Sequence, residues 1–259
     1  MVRWATSPAK CRWGQSERAV TVIAMTNPSQ DWPAGWQVEW VAETGSTNAD
    51  LLAAGAAGAP DRTVRAADHQ TAGRGRLDRR WEAPPGANLL VSILLRDLPD
   101  HPHVVTQRVA LAAALASRRV AGSEVSLKWP NDLLLGGAKL AGILAQSATS
   151  AVGPFVVVGL GLNVGWAPPD AARLGEAIDP RALLRAVLEA FDELPDDING
   201  LYRESLATIG QLVRVELPGG RFLTGRALDV EADGRLVVLD DCAVTHRIDT
   251  GDVVHLRPA

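Results

Sequence analysis

The sequence contains Gly73-Arg74-Gly75-Arg76-Leu77-Asp78-Arg79-Arg80-Trp81, a run that constrains the fold more than any other. Four arginines and two glycines in nine residues leave no apolar stripe for a helix or strand to bury, so the run must be a loop. Glycines allow close approach of a ligand to the backbone, and guanidinium groups bind carboxylate or phosphate oxygens with two parallel hydrogen bonds. The run predicts an anion-binding loop; a solvated turn and a nucleic-acid patch are the alternatives.

The segments around this loop have the patterns of strands and a packing helix. Residues 63–67 are predicted to form a strand that leads through Gln70 into the loop, and residues 88–95 are apolar on both faces, as in a central strand. Residues 104–120 have apolar residues at helical spacing and are predicted to pack behind the sheet. Gln70 therefore lies where a strand ends, a favoured position for a binding residue.

The triplet Ser46-Thr47-Asn48 separates a predicted strand, residues 38–42, from a predicted helix, residues 49–57. Ser46 or Thr47 is a natural N-cap for that helix. The alternative is that these hydroxyls and the side-chain amide bind a neutral polar ligand group such as a urea.

Lysine occurs only at Lys10, Lys128 and Lys139 in a chain that otherwise uses arginine. Lys128 lies near the end of a predicted strand, residues 125–129, and is followed closely by Asn131 and Asp132. Lys139 opens another predicted strand, residues 139–144, after a hairpin. The closeness of Lys128 and Lys139 in the sequence is explained in one of two ways. It arises by chance, or the chemistry at this position requires the compact charge of an ammonium group in place of the forked guanidinium group of arginine.

Two glycine-rich stretches do not fit the nucleotide-binding motifs that they resemble. Residues 159–165, which follow a predicted strand at 155–158, read Gly-Leu-Gly-Leu-Asn-Val-Gly and lead into Trp-Ala-Pro-Pro, so a dinucleotide fingerprint is unsupported. Residues 136–140 lack the hydroxyl residue that follows the lysine of a P-loop. A nucleotide would have to bind by another fold.

Composition narrows the class of protein. The 259 residues carry a net charge of −4, which argues against a protein whose main task is to bind nucleic acid. The two cysteines, Cys11 and Cys242, form no C-x-x-C pair, so neither a disulfide framework nor a zinc site is indicated and a cytoplasmic protein is expected. No apolar run reaches the roughly 18 residues of a membrane span, and no signal peptide is recognised.

The pattern also predicts how the chain is divided. Residues 1–35 show no sustained periodicity and are expected to form a poorly ordered tail, ahead of a larger domain at residues 36–210. Within that domain, residues 181–194 and about 197–207 are predicted helices. Five short alternating runs follow in residues 211–259, which predicts a small β-barrel domain with few candidate site residues.

Taken in order, the motifs resemble the biotin protein ligase family, also named biotin–[acetyl-CoA-carboxylase] ligase. The resemblance covers five motifs over about 120 residues and then the barrel: Ser46-Thr-Asn48, Gln70-Thr-Ala-Gly-Arg-Gly-Arg76, Lys128-Trp-Pro-Asn-Asp132, Lys139-Leu-Ala-Gly-Ile-Leu144 and Gly159-Leu-Gly-Leu-Asn-Val164. One departure is Asp78, where the family loop commonly has a glycine.

The resemblance implies an α/β (α+β) fold. The mixed sheet with flanking helices would be similar to the core of class II aminoacyl-tRNA synthetases, with a Src-homology-3-like barrel behind it. It also implies two reactions: biotin and MgATP form biotinyl-5′-AMP, and the adenylate then acylates a lysine of a biotin carboxyl carrier domain. ATP and Mg²⁺ would be the cofactors, and biotin and the carrier domain the partners. Neither DNA nor a membrane is expected, and the chain would be a monomer or a weak homodimer.

By the same resemblance, each motif residue receives a role. The implied catalytic residues are Lys128, which would bridge the biotin carboxylate and the α-phosphate, with Arg74 and Arg76, and Arg79 in support. The implied biotin-binding residues are Ser46, Thr47, Asn48, Gln70, Gly73, Arg74, Gly75, Arg76 and Lys128. The implied ATP- and adenylate-binding residues are Arg79, Trp81, Asn131, Lys139 and Asn163. Asp132 would help with magnesium or merely brace the hairpin. We also expect the arginine loop to be mobile without ligand and to order over the adenylate.

Three rival functions are considered. A lipoate ligase shares the fold and the adenylation step, but the Gly-Arg-Gly-Arg loop and the barrel favour biotin. A transcriptional repressor would need a DNA-binding domain, for which about 35 residues are too few, and the acidic composition is unfavourable. A pure binding module would use the same cations for affinity alone and would release no pyrophosphate.

Overall fold

A computed structural model describes residues 32–77, 79–101, 103–217, 219–249 and 251–256. Residues 1–31, which make up most of the predicted tail, lie outside these ranges, as does Asp78. The predicted domain bounds stay predictions. None of the described helices has the length and apolar character needed to cross a membrane.

A seven-stranded mixed sheet forms the larger part of the molecule. Its spatial order is β1-β2-β3-β7-β6-β5-β4, with β1 and β2 parallel and every other neighbouring pair antiparallel. The strands are β1 (Gln37–Thr44), β2 (Thr63–Gln70), β3 (Leu89–Leu95), β4 (Val125–Lys128), β5 (Asp132–Leu135), β6 (Ala138–Ser150) and β7 (Gly153–Leu162). The predicted mixed sheet with flanking helices is confirmed, and β3 is central and fully buried as expected.

Helices cover the two faces of this sheet unequally. The helices are α1 (Thr47–Ala56), α2 (His103–Ala121), α3 (Pro180–Glu193) and α4 (Asn199–Ser205). On one face, α2 and α3 bury a large core against the sheet. On the other face, α1 packs Leu51 against Leu94, Phe155 and Val157, a small cluster that covers only part of the sheet. The uncovered part of this second face is available for a ligand.

A second, five-stranded antiparallel sheet follows, in the spatial order β11-β10-β9-β8-β12. Its strands are β8 (Leu212–Leu217), β9 (Arg221–Val230), β10 (Leu236–Asp240), β11 (Thr245–Ile248) and β12 (Asp252–His255). The five predicted strands are therefore confirmed, while the finer description as a Src-homology-3-like barrel stays a prediction. One hydrophobic cluster includes side chains of both sheets, among them Leu127 and Val215.

Strand β7 differs from the sequence-based expectation. The predicted strand covers residues 155–158, but β7 is longer and runs from Gly153 through Gly161 to Leu162. A Cβ atom at Gly159 would lie 2.2 Å from Asn48 Oδ1, and one at Gly161 would lie 2.5 Å from Trp81 Cε2. Both glycines are strand residues, and the absence of a side chain makes room for Asn48 and Trp81. Glycine is therefore required at these positions for packing and does not mark a turn.

Candidate active site

A cavity of about 770 Å³ occupies the uncovered part of the sheet and extends to the second sheet. Fourteen of the fifteen predicted site residues line it: Ser46, Thr47, Asn48, Gln70, Arg74, Gly75, Arg76, Arg79, Trp81, Lys128, Asn131, Asp132, Lys139 and Asn163. The exception is Gly73, which is buried behind the wall, where a Cβ atom would lie 2.4 Å from the backbone oxygen of Trp81. Gly73 therefore lets the loop close on itself and does not form part of the wall.

At one end of the cavity, the buried side chains of Thr47, Asn48 and Ser92 form a continuous chain of hydrogen bonds with half-buried Gln70 and exposed Gln146. Gln70 Oε1 accepts from the Thr47 backbone N–H at 2.8 Å and from its hydroxyl at 3.0 Å. The Thr47 and Ser92 hydroxyls are 2.7 Å apart, and Ser92 donates to Asn48 Oδ1 at 2.6 Å. Asn48 Nδ2 then donates to Gln146 Oε1 at 2.9 Å. The rotamers of these side chains are fixed before any ligand arrives.

Two polar groups of this end are left for a ligand. Ser46 is at the N-cap position of α1, but its hydroxyl makes no capping hydrogen bond. Among the described residues, neither the Ser46 hydroxyl nor the Gln70 amide nitrogen has a hydrogen-bond partner. A hydroxyl donates and accepts, while an amide nitrogen donates, so the pair suits a neutral polar group with both kinds of site.

The floor of the cavity is made of backbone. Gly142 of β6 pairs with Gly161 of β7, and the Trp81 indole lies over both of them. Its Nε1 is buried and has no hydrogen-bond partner within the part of the chain that the structure describes. Glycine at these positions allows an aromatic ring to lie flat on the sheet.

Two lysines approach the cavity from β4 and β6, the strands on either side of β5. Burial lowers the pKa of Lys128, and the positive charges of Lys139 and Arg79 add to this, while the negative charges of Asp132 and Asp252 oppose it. The Lys128 ammonium makes no hydrogen bond or ion pair with the described residues, whereas Lys139 Nζ lies 2.6 Å from Asp132 Oδ1. Lys128 is thus a half-buried cation without a close counter-ion in that part of the chain.

Trp129 holds Lys128 in place. Its side chain is buried, its indole Nε1 donates to the Gly234 carbonyl at 2.9 Å, and its backbone N–H donates to Thr208 Oγ1 at 3.1 Å. These contacts fix the end of β4 against the second sheet. The backbone position of Lys128 is therefore set by rigid neighbours.

The arginine loop folds across the cavity. Its backbone closes through hydrogen bonds from Gly75 N–H to the Arg79 carbonyl at 2.7 Å and from Trp81 N–H to the Gly73 carbonyl at 3.1 Å. Arg76 donates to Asn131 Oδ1 at 3.2 Å, and Arg79 pairs with Asp252. The predicted mobility of the loop in the free protein stays a prediction.

Two predicted adenylate-binding amides are already engaged within the protein. Asn131 Nδ2 donates to the Ile143 carbonyl at 2.7 Å, and Asn163 Nδ2 donates to the Ala172 carbonyl at 3.0 Å. Asn163 is 2% exposed, and its Oδ1 accepts from Asn88 Nδ2 at 3.3 Å. Asn163 therefore shapes the cavity wall chiefly by bracing the segment after β7.

Within the described residues, no group of three or more carboxylate, histidine or cysteine side chains is arranged to hold a metal ion. Asp132 is the carboxylate predicted for magnesium, and its ion pair with Lys139 also fits the alternative of a brace for the hairpin. The chain supplies at most a single carboxylate ligand from this position.

Sequence reasoning missed three side chains that line the cavity or support it. Ser92 links Thr47 to Asn48, and Gln146 orients the Asn48 amide. Asp252 lines the cavity from the second sheet, where the sequence predicted few site residues. A single serine inside the apolar run of β3 was the available signal for Ser92; Asp252 and Gln146 have no comparable signal.

Comparisons with known proteins agree with this geometry. Residues 42–163 match the model of the biotin/lipoate A/B protein ligase family, and residues 208–256 match the biotin protein ligase C-terminal domain. A biotin–[acetyl-CoA-carboxylase] ligase of Mycobacterium tuberculosis is 45% identical over 249 residues, covering 86% of this chain and 91% of that protein. A bifunctional ligase/repressor of Bacillus subtilis is 32% identical over 205 residues, covering 70% of this chain and 62% of the Bacillus protein.

Among solved structures, the biotin protein ligase of Aquifex aeolicus in complex with biotin and ATP has the same fold. The TM-score is 0.70 at 24% identity, covering 86% of this chain and 99% of that one. With the domain matches, the high coverage of the mycobacterial relative and the shared fold together, the chain belongs to the biotin protein ligase family.

Proposed function

We propose that the protein is an ATP-dependent biotin–protein ligase. It activates the biotin carboxyl group as biotinyl-5′-AMP and transfers biotin to a lysine of a biotin carboxyl carrier domain of an acetyl-CoA or acyl-CoA carboxylase. The similarity to the mycobacterial ligase supports this assignment, since it extends over both sheets. The observation that carries it is the half-buried Lys128, which faces the cavity beside the arginine loop and has no close counter-ion among the described residues.

The polar end of the cavity is the proposed site for the ureido ring of biotin. A urea has two N–H donors and one carbonyl acceptor, and Ser46 and Gln70 offer hydrogen-bond capacity that the described protein does not use. Thr47 and Asn48 are almost fully buried and are bonded to one another through Ser92. They act by holding the shape of this end, and the Gly75 backbone lies where the tail of biotin would pass.

Activation brings the biotin carboxylate against the α-phosphate of ATP. Two unit charges about 4 Å apart repel by roughly 4 kcal/mol at an effective dielectric constant of 20, so cations must offset this in the transition state. Lys128 is the proposed bridge between the two anions, with Arg74 and Arg76 in support and Lys139 near the phosphates. A fixed cation that has no close counter-ion in the protein stabilises the transition state most strongly, because negative charge develops beside it.

The adenine is proposed to lie near Trp81, Asn131 and Asn163. The indole N–H of Trp81, which has no partner among the described residues, is expected to gain one when a polar ligand enters, because a buried donor without a partner is costly. Asp132 is the protein ligand that fits magnesium, and one carboxylate suffices because magnesium in such sites is held mainly by phosphates and water. When bound, the metal would neutralise phosphate charge; Arg79 is proposed to contact the same phosphates.

The remaining assignments follow from the family and are also proposals. The carrier lysine would enter once the loop has closed, so that the mixed anhydride meets an amine before water. We expect a cytoplasmic enzyme that acts without DNA, as a monomer or a weak homodimer.

The test is biotin-dependent pyrophosphate release from MgATP by the wild type and by Lys128→Ala, repeated with lipoate. We expect release with biotin alone, reduced about 100- to 1000-fold in the variant because a transition-state charge contact is removed. Release with lipoate but not biotin would favour the lipoate ligase, and no release with either acid would leave a binding module. Binding of biotin by both proteins, measured by calorimetry, controls for folding.

A further inference from the structure

Two arginines of the loop, Arg76 and Arg79, make ionic contacts with the second sheet, while Arg80 lies 4.0 Å from its near neighbour Glu82. Arg79 of the loop pairs with the Asp252 carboxylate at the start of β12. Arg76 Nη1 lies 3.5 Å from Asp252 Oδ1, and both terminal nitrogens of Arg76 donate to the Gly251 carbonyl at 3.3 Å. A single strand end of the C-terminal sheet thus receives two arginines of the loop.

Arg76 connects this strand end to the catalytic sheet as well. Its guanidinium donates to Asn131 Oδ1, which belongs to the segment between β4 and β5 next to Lys128. The Arg76 side chain is 22% exposed and that of Asp252 is 18% exposed, whereas that of Arg79 is 61% exposed. The loop is therefore held by the sheltered carboxylate of Asp252, which pairs with the largely solvated Arg79 and with the more buried Arg76.

We propose that Asp252 is a positioning residue that keeps the arginine loop closed over the adenylate. This role rests on the proposed function and deepens it, because it assigns a kinetic task to the C-terminal sheet. Asp252 acts through Arg79 and Arg76, and the closed loop slows release of biotinyl-5′-AMP before the carrier lysine arrives. Since Arg79 is exposed, the contact is weakened by salt, and release of the adenylate becomes salt-dependent.

The experiment measures how fast the adenylate leaves the full-length protein. Radiolabelled biotin and MgATP are used to form the adenylate, free label is removed, and loss of bound label is followed in excess unlabelled biotin. We expect Asp252→Asn and Arg79→Gln each to release the adenylate about fivefold faster than the wild type, the effect of losing a partly exposed ion pair. The double variant should release it no more than about twofold faster than Arg79→Gln, because Asp252 acts largely through that arginine.

A second arm uses salt. Release by the wild type should quicken between about 0.05 and 0.5 M salt, over which the screening length falls several-fold, and release by Asp252→Asn should change much less. Asp229→Asn is the matched control, since Asp229 also belongs to the C-terminal sheet and pairs with an arginine, Arg203 at 2.7 Å, but does not line the cavity. It should release the adenylate at the wild-type rate with the wild-type salt dependence.

Each alternative result has a distinct meaning. Wild-type release rates in Asp252→Asn, or effects of Asp252→Asn and Arg79→Gln that multiply fully, would overturn the positioning role and leave the proposed function intact. An equal effect of Asp229→Asn would show a general charge effect and would overturn it too. Failure of the wild type to form any adenylate would reject the proposed function, and the positioning role with it.

Discussion

The polar end of the cavity is centred on a buried, uncharged network, while the loop end is charged and partly solvated. Thr47 and Asn48 are 3% and 7% exposed and bond to each other through Ser92, whereas Arg79 is 61% exposed and reaches across to another sheet. A buried network is rigid and indifferent to salt, but each of its members leaves costly unpaired groups when removed. An exposed ion pair is weak, screened and easily opened. The difference suggests that one end selects the substrate and the other end controls when it can leave.

The strongest test of this contrast is Ser92→Ala. The substitution removes the hydroxyl between Thr47 and Asn48 and leaves the Asn48 carbonyl oxygen without its donor. A buried group left unsatisfied costs about 1–3 kcal/mol, so we expect the KM for biotin to rise about 10- to 100-fold while the KM for ATP changes little. Steady-state pyrophosphate release at varied biotin and ATP measures both.

Salt provides the control for that variant. The increase in the KM for biotin should be the same at low and high salt, because no charged group is involved. An increase in the KM for ATP of the same size would mean that the two ends are not separate units, and the comparison would fail.

Next in size is Gly161→Ala, which acts on the loop end. A Cβ atom at Gly161 would lie 2.5 Å from Trp81 Cε2 and 2.7 Å from Trp81 Nε1, so the indole and the loop behind it must shift. We expect the KM for ATP to rise about tenfold, because an aromatic ring that has moved stacks less well on the nucleotide, and adenylate release to quicken. The measurement is the same kinetic series together with Trp fluorescence on addition of nucleotide.

Gly165→Ala offers a matched glycine change outside the floor. Its Cβ atom would lie 3.2 Å from the Ala87 carbonyl oxygen and not against Trp81. If Gly161→Ala and Gly165→Ala weaken ATP binding equally, the effect of Gly161→Ala does not arise from a shift of Trp81.

These contrasts show what could be predicted from the sequence and what could not. The strands that precede the candidate site residues and the five short strands of the second sheet followed from local periodicity and turn chemistry, while the roles of the motif residues came from the family resemblance. The predicted strand at residues 155–158 ended before Gly159 and Gly161, and only the neighbours Asn48 and Trp81 show why β7 continues there with glycine. Asp252 lies 173 positions from Arg79, so no local pattern could have linked the two residues.

The smallest expected effect concerns Lys128, which stands between the two ends and whose charge is unfavourable for folding. Burial lowers its pKa in the folded protein relative to the unfolded chain, so the protonated lysine destabilises the fold at neutral pH. Lys128→Met keeps the length of the side chain without the charge, and it should raise Tm by about 2–4 °C at pH 7, equivalent to about 1 kcal/mol or less. The same variant should lose pyrophosphate release as completely as the alanine variant.

The pH dependence fixes the interpretation of that gain. As pH rises through the lowered pKa of Lys128, the wild-type lysine loses its charge in the folded state and the penalty begins to fall, until it is gone above the pKa of the unfolded chain. The difference in Tm between Lys128→Met and the wild type should therefore shrink as pH rises, followed by thermal unfolding at several pH values. A difference that stays constant with pH would assign the gain to better packing of methionine. A shrinking difference shows that the site keeps an unpaired charge at the expense of stability, which is expected of a group whose partner is the substrate.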